Sequence, residues 1–183
     1  YHAGPAFEGS FSPFRAIDEY LHTARRFGAP LPADVDALRS RVGEIGAALG
    51  SERTILRPCH NDLWWENLID DGRQISIVDW EYAAMGDACF DLAYFAMHHC
   101  PSDAHDETLI QAYFGQVPED ARTRFKLLKI AAELREALWY VVAIYVASAN
   151  TGFPHSARIH FDRCRRALAD PRVRDWVDHA TRG

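Results

Sequence analysis

Three oxygen-bearing side chains stand close together in this chain. Asn67 follows Asp62 by five residues and Asp79 follows it by seventeen. The run His60-Asn61-Asp62-Leu63-Trp64-Trp65-Glu66-Asn67 is too polar and too crowded with aromatics for a strand, so it reads as a loop that can turn Asp62 and Asn67 toward one point. Beyond it, residues 67–70 and 74–78 flank Asp71-Gly72, a strong short-range hairpin signal between apolar runs. Such a hairpin folds Asp79 back beside Asn67. That geometry suits a metal-dependent transfer of phosphate to an alcohol. The reaction needs a carboxylate to take the hydroxyl proton and hard oxygen ligands for Mg2+ bridging the phosphates of ATP. Asp62 fits the base, and Asn67 and Asp79 fit the ligands. A single Asp or Asn in a loop is usually a turn residue or a cap; here the weight lies in several of them falling in order and in register.

The pattern His-x-Asp-Leu-x-x-x-Asn matches the protein-kinase catalytic loop, and Asp79-Trp80-Glu81 stands where the metal-binding Asp-Phe-Gly would be. The larger set resembles the choline/ethanolamine kinase branch of the aminoglycoside phosphotransferase superfamily. It comprises Pro58 to Leu63, Asn67-Leu68, Val78 to Ala83, Gly86-Asp87 and Phe90 to Ala93. Asn61 and the Glu81-Tyr82 pair resemble the choline-kinase side more than the antibiotic-modifying side. The resemblance implies an α+β, mainly α fold: the C-terminal lobe of a protein-kinase-like enzyme, helical, with a small β-hairpin carrying the metal site. It gives His60 and Asp91 loop-bracing roles, with Asp91 accepting hydrogen bonds from the loop backbone. Glu81 would support the metal shell or a bound cation. Asp87 also reads as a plain helix cap.

At 183 residues the chain is expected to form one domain, with 48% hydrophobic and 25% charged residues as in ordinary globular proteins. A formal charge of -6 gives no nucleic-acid footprint and suits a cationic partner. The four cysteines, at 59, 89, 100 and 164, lack any Cys-x-x-Cys spacing, and reduced thiols in a cytoplasm are the simplest reading. His98-His99-Cys100 with His105 has no zinc-site spacing. The longest apolar run, residues 137–147, is eleven residues, too short for a bilayer.

Helical periods are predicted over residues 14–26, 33–49, 87–99, 108–114, 119–149, 157–169 and 173–179, about eight helices in all with three or four short strands. Residues 1–12, rich in Gly, Pro and Ser, read as a connector, residues 54–56 as a strand into the loop, and residues 83–86 as a loop. In the long helix, apolar positions 125, 127, 128, 131, 134, 138, 141, 142 and 145 define the buried face.

A quaternary ammonium is held by aromatic faces and carboxylates. Trp139 and Tyr140 with Glu136, and Trp64 or Trp65 beside the loop, are the candidates. Choline kinases present two tryptophans a turn apart on a corresponding helix; Trp139 matches the first, and Val142 replaces the second. Trp139 reads equally as a core residue. Arg135, Arg158 and Arg163 are given no catalytic role.

The resemblance also implies a nucleotide-binding lobe that this chain lacks. No glycine-rich loop precedes His60, and the only lysines are Lys126 and Lys129. The chain starts at Tyr1, so the expectation is a C-terminal lobe with little or no turnover alone. The parent protein is expected to phosphorylate choline or ethanolamine. An aminoglycoside or other small-alcohol phosphotransferase, or a non-catalytic cation-binding lobe, are the alternatives.

Overall fold

Helices and a few short strands make up most of the computed structural model, which describes residues 1–50, 54–100, 102–146 and 153–182. The elements in order are α1 (Pro13–Arg26), α2 (Val35–Leu49), β1 (Leu56–Cys59), a 3-10 turn (Trp65–Asn67), β2 (Leu68–Asp70), β3 (Ile75–Ile77), β4 (Ala84–Asp87), α3 (Ala88–His99), α4 (Asp103–Phe114), α5 (Glu119–Val146), α6 (Phe153–Leu168) and α7 (Arg172–Arg182). Seven α-helices and two two-stranded antiparallel sheets, β1-β4 and β2-β3, are thus present among the described residues. This is the mainly helical α+β arrangement expected. The residues group into two compact units, one of 1–12 and 54–129, the other of 13–53 and 130–183.

In the first unit, β2 and β3 pair Leu68 with Ile77 and Asp70 with Ile75. The turn between them forms for local reasons. Asp71 accepts from the backbone N–H of Arg73 and Gln74, Asp70 accepts from Gly72, and Gly72 sits at φ 80°, where a side chain would be strained. Residues 84–86, expected as loop, instead belong to β4, with Pro58 opposite Met85 and Cys59 opposite Ala84. No local period marks this strand; its partner creates it. Residues 9–11 extend the pairing, because Met85 N–H donates to Gly9 and Phe11 N–H donates to Met85. Asp87 ends β4 and caps α3, its carboxylate accepting from Cys89 N–H at 2.9 Å and from Arg124.

Helix α3 buries Phe90, Ala93, Tyr94 and Met97, as the period predicts, and Asp91 with them. Helix α4 starts at Asp103, five residues before the predicted position 108. Asp103 and Asp106 in its first turn favour a helix N-terminus, a signal that apolar spacing overlooks. Both lysines reach these carboxylates: Lys126 to Asp103 and Asp106 at 2.9 Å each, and Lys129 to Asp106 at 2.7 Å. They join α5 to α4.

In the second unit, Val35, Leu38, Val42, Ile45 and Ala48 form the buried face of α2, as its spacing predicts. Ile17, Leu21 and Ala24 of α1, Leu134, Leu138 and Val141 of α5, and Phe161, Cys164 and Leu168 of α6 complete the core. Each fully buried Leu, Ile or Phe contributes about 1.5 to 3 kcal/mol. Arg165 forks onto both oxygens of Asp34 at 2.7 Å, and Arg41 donates to the Leu168 carbonyl. Helix α6 begins at Phe153, ahead of the predicted 157, with Pro154 tolerated in its first turn. Tyr145, placed on the buried face by its period, is exposed instead, one residue before the described part of α5 ends. The predicted extension of that helix to 149 lies outside the described residues.

Candidate active site

The loop from His60 to Trp64 is buried at one end and opens to solvent at the other. His60 and Asn61 are fully buried, and Asp62 is half-buried. Asn61 holds φ 65°, a left-handed conformation that Asn tolerates better than most residues. Its amide donates to the Tyr82 carbonyl at 2.9 Å and fills the space over Gly86, where an added Cβ would lie 3.1 Å from Asn61 Oδ1.

Helix α3 lies under this loop and meets it residue by residue. The Asp91 carboxylate accepts from His60 N–H at 2.8 Å and from Asn61 N–H at 2.6 Å. The Tyr94 hydroxyl donates to Asp62 Oδ1 at 2.9 Å. The His99 ring bonds the Leu63 backbone, and burial holds its pKa below the usual histidine value. The His98 ring packs edge-to-face on Trp64 at 4.4 Å. Asp91, Tyr94 and His98 share one face of the helix by their i, i+3, i+7 spacing.

Asn67 connects Asp62 to the hairpin. Its Nδ2 donates to the Asp62 carbonyl at 2.9 Å and lies 3.4 Å from Asp62 Oδ2, which commits the nitrogen and leaves Oδ1 as the atom the amide could offer a metal. Its own carbonyl accepts from Val78 N–H at 3.0 Å, so Asp79 follows directly on a residue bonded to Asn67. Asp79 is exposed and, at φ 62°, is the second non-glycine residue in left-handed conformation among the described residues. Both such residues fall in this site, as backbone strain often does. The Asn67 side chain is thus tied to Asp62, and its backbone to Val78, the residue before Asp79. Oδ1 of Asn67 and the exposed carboxylate of Asp79 are hard oxygen donors that fit Mg2+.

His60 Nε2 donates to the Val78 carbonyl at 2.9 Å, and its ring packs against Trp80 at 4.8 Å. The imidazole thus joins loop to hairpin and has its Nε2 proton engaged, an arrangement suited to bracing. Glu81 is exposed and makes no hydrogen bond or ion pair among the described residues.

Sequence reasoning passed over the connector. Tyr1 O–H donates to Asp91 Oδ2 at 2.8 Å, His2 Nε2 lies 3.0 Å from the same oxygen, and His2 Nδ1 meets the Tyr113 hydroxyl at 2.8 Å. The Tyr1 ring also stands edge-on to Trp80 at 5.2 Å. With Cys59, the His2 and Asp91 ligand atoms lie within 4.8 Å of one another. Asp91 already takes hydrogen bonds from two backbone amides, a phenol and an imidazole, so this grouping is a brace. Burial, then the charges of Asp91 and Asp87, push the Cys59 thiol pKa well up and keep it protonated. Nothing in the local sequence marks residues 1 and 2 for this, because their partner lies about ninety positions away.

The predicted cation-binding residues on α5 belong to the second unit. Trp139 is half-buried and edge-on to buried Tyr140 at 5.2 Å, and Glu136 is buried with Arg135 Nη1 donating to it at 3.0 Å. Trp64 lies in the first unit, half-buried against His98, with Trp65 exposed beside it.

Residues 3–128 match the phosphotransferase enzyme family. Protein LicA of Haemophilus influenzae is 30% identical over 145 residues, covering 74% of this chain and 52% of that protein. Among solved structures, a choline/ethanolamine kinase family protein from Mesorhizobium loti superposes with a TM-score of 0.90 at 28% identity, covering all of this chain and 63% of the other. The choline kinase LicA from Streptococcus pneumoniae shares the fold, with a TM-score of 0.77 at 23% identity over 92% of this chain and 59% of its own. The chain spans between about half and under two thirds of the length of these relatives. No described helix is long and apolar enough to cross a membrane. With the family match covering more than half of its residues, and with the kinase-like loop and hairpin lying inside the matched range, this chain belongs to the phosphotransferase enzyme family.

Proposed function

We propose that the protein containing this chain transfers the γ-phosphoryl group of ATP to the hydroxyl of a small alcohol, choline or ethanolamine, with Mg2+ as the metal. The observation that carries this reading is the continuous link from Asp62 through the Asn67 side chain to the backbone beside Asp79. The alcohol O–H proton passes to the Asp62 carboxylate as the alcohol oxygen bonds to the γ-phosphorus and the bond to the β–γ bridging oxygen breaks, releasing ADP. Asn67 Oδ1 and Asp79 would hold Mg2+, which neutralises phosphate charge when bound. Asp91 and His60 keep the loop in shape, and Glu81 supports the metal or the cation. Trp64 is assigned to the alcohol's cationic end, and Trp139, Tyr140 and Glu136 are the second unit's own candidates for holding a cation. The choline and ethanolamine assignment is supported by the likeness to the choline/ethanolamine kinase family protein and by the chain's acidic balance.

The glycine-rich loop and phosphate lysine belong, on this reading, to a nucleotide lobe elsewhere in the longer protein. Both lysines of this chain are already held by α4 carboxylates. The isolated 183-residue chain should therefore show little or no turnover.

The test is Asp62→Asn in the full-length protein, assayed with Mg-ATP and a panel of choline, ethanolamine and aminoglycosides. Turnover of choline or ethanolamine should fall by about 10² to 10⁴ with substrate affinity kept, the range for loss of a general base. A variant within tenfold of the parent would sink the base assignment, and a panel in which only aminoglycosides react would sink the substrate.

A further inference from the structure

Four side chains of α3 hold the loop, and they do so in different ways. Asp91 and His99 grip its backbone and His98 packs on a ring, whereas Tyr94 reaches the carboxylate of Asp62 itself. We propose that Tyr94 is a positioning residue for phosphoryl transfer, fixing the rotation of the Asp62 carboxylate so that Oδ2, on the Asn67 side, is presented to the alcohol. This rests on Asp62 being the base, as proposed above.

A terminal carboxylate torsion is broad, and a half-buried aspartate with no tie would sample a wide range of rotations. Transfer requires the proton acceptor and the phosphorus to be aligned with the hydroxyl at once, so an unfixed base loses rate even where the alcohol still binds. Tyr94 can do the fixing because it is fixed. It is 1% exposed, its ring lies between Phe90 at 5.9 Å and His98 at 4.9 Å, and it sits one turn beyond Asp91, which is bonded to the loop backbone. The helix therefore sets both the backbone height of the loop and the point at which a donor meets Oδ1. Asn67 Nδ2 adds a longer contact, 3.4 Å from Oδ2. The plainer account is that a buried phenol needs an acceptor and takes the nearest one. That account makes Tyr94 a packing residue whose loss acts independently of Asp62.

The experiment separates the two with Tyr94→Phe, Asp62→Asn and the double variant of the full-length protein. It measures kcat and KM with choline or ethanolamine and Mg-ATP, alcohol affinity by calorimetry, and thermal unfolding. Tyr94→Phe should lower kcat about tenfold to a hundredfold, the effect of one hydrogen bond to a charged group, with KM and calorimetric affinity within about twofold. In the Asp62→Asn background the same change should cost nothing further in residual turnover, since there is no carboxylate left to orient. Placing para-aminophenylalanine at position 94, which keeps a donor at the same point, should restore turnover to within about threefold of the parent, a remaining barrier increase of under about 1 kcal/mol. The inference is overturned by a Tyr94→Phe protein with parental kcat, by an equal loss in both backgrounds, or by failure of the amino analogue to restore activity in a protein that unfolds at the parental temperature. An Asp62→Asn protein that keeps full turnover instead overturns the base assignment, so the two failures are told apart.

Discussion

The underside of the Asp62 loop and the β2-β3 hairpin lie in the same unit and carry neighbouring parts of one site, yet they are held very differently. Beneath the loop, α3 residues answer loop residues 60 to 64: fully buried Asp91 takes the buried His60 and Asn61 amides, buried Tyr94 bonds half-buried Asp62, and half-buried His98 packs on Trp64. The hairpin has three register pairs, and two of its apolar side chains face outward, with Ile75 67% and Ile69 52% exposed. The contrast separates the two tasks of the proposed site. The proposed base is positioned by residues of this chain, through hydrogen bonds to the buried groups of α3. The Asp79 arm is placed by a turn and one backbone bond to Asn67, and so depends more on what binds there.

The largest effect that would break this contrast is at Asp91. Replacing it by Ala strips a fully buried acceptor from two buried backbone amides and from a phenol and an imidazole at the site's edge. Removing one partner from a buried charged network costs about 3 to 5 kcal/mol. The midpoint of urea unfolding of the full-length protein should fall accordingly, and turnover with it. A loss below about 1 kcal/mol would mean that the loop keeps its shape without the helix, leaving no difference between the two regions.

Asp79 provides the matching test on the hairpin side. Asp79→Asn keeps one oxygen and a residue that tolerates φ 62°, but it removes the charge from an exposed position. The Mg2+ concentration for half-maximal rate should rise by about tenfold or more, in line with the loss of ligand charge. Unfolding should stay where it was. Were the stability loss as large as that expected at Asp91, Asp79 would belong to the scaffold and its assignment as a metal ligand would fail.

How much of this could be read from the chain follows from the range of the interactions. The hairpin and the line-up of Asp62, Asn67 and Asp79 were legible because Asp71-Gly72 acts within a few residues and because a loop of that composition has few other folds. Asp91 was legible only through family resemblance; spacing alone reads it as an acidic residue near a helix start. The helical period places Tyr94 in the core, where it lies, but a period says nothing about where the hydroxyl goes. Its partner lies thirty-two residues away. The same holds for Tyr1 and His2, read as connector, and for β4, whose strand character comes from β1 across the sheet and not from its own residues. The predicted start of α4 failed for a different reason: electrostatics at a helix N-terminus act without an apolar period.

The smallest expected effect sharpens the comparison by making the same chemical change in the hairpin and at a buried position of the same unit. Ile110 of α4 is fully buried in the same unit, whereas Ile75 lies largely in solvent. In the 183-residue chain, Ile110→Thr removes apolar contacts and buries a hydroxyl, which should cost about 2 to 4 kcal/mol. Ile75→Thr should stay within about 0.5 kcal/mol, since threonine suits a strand and its hydroxyl remains hydrated. Denaturant titration of the two variants measures the difference. Repeating Ile75→Thr in the full-length protein then reports on the hairpin's surroundings. A cost that rises above about 1 kcal/mol there means that further protein packs on the Asp79 arm, as burial of one large aliphatic group requires. A cost that stays near zero in both leaves the arm to be ordered by its ligands, and the contrast between a built base and a lightly held metal arm then describes the whole protein as well as this part of it.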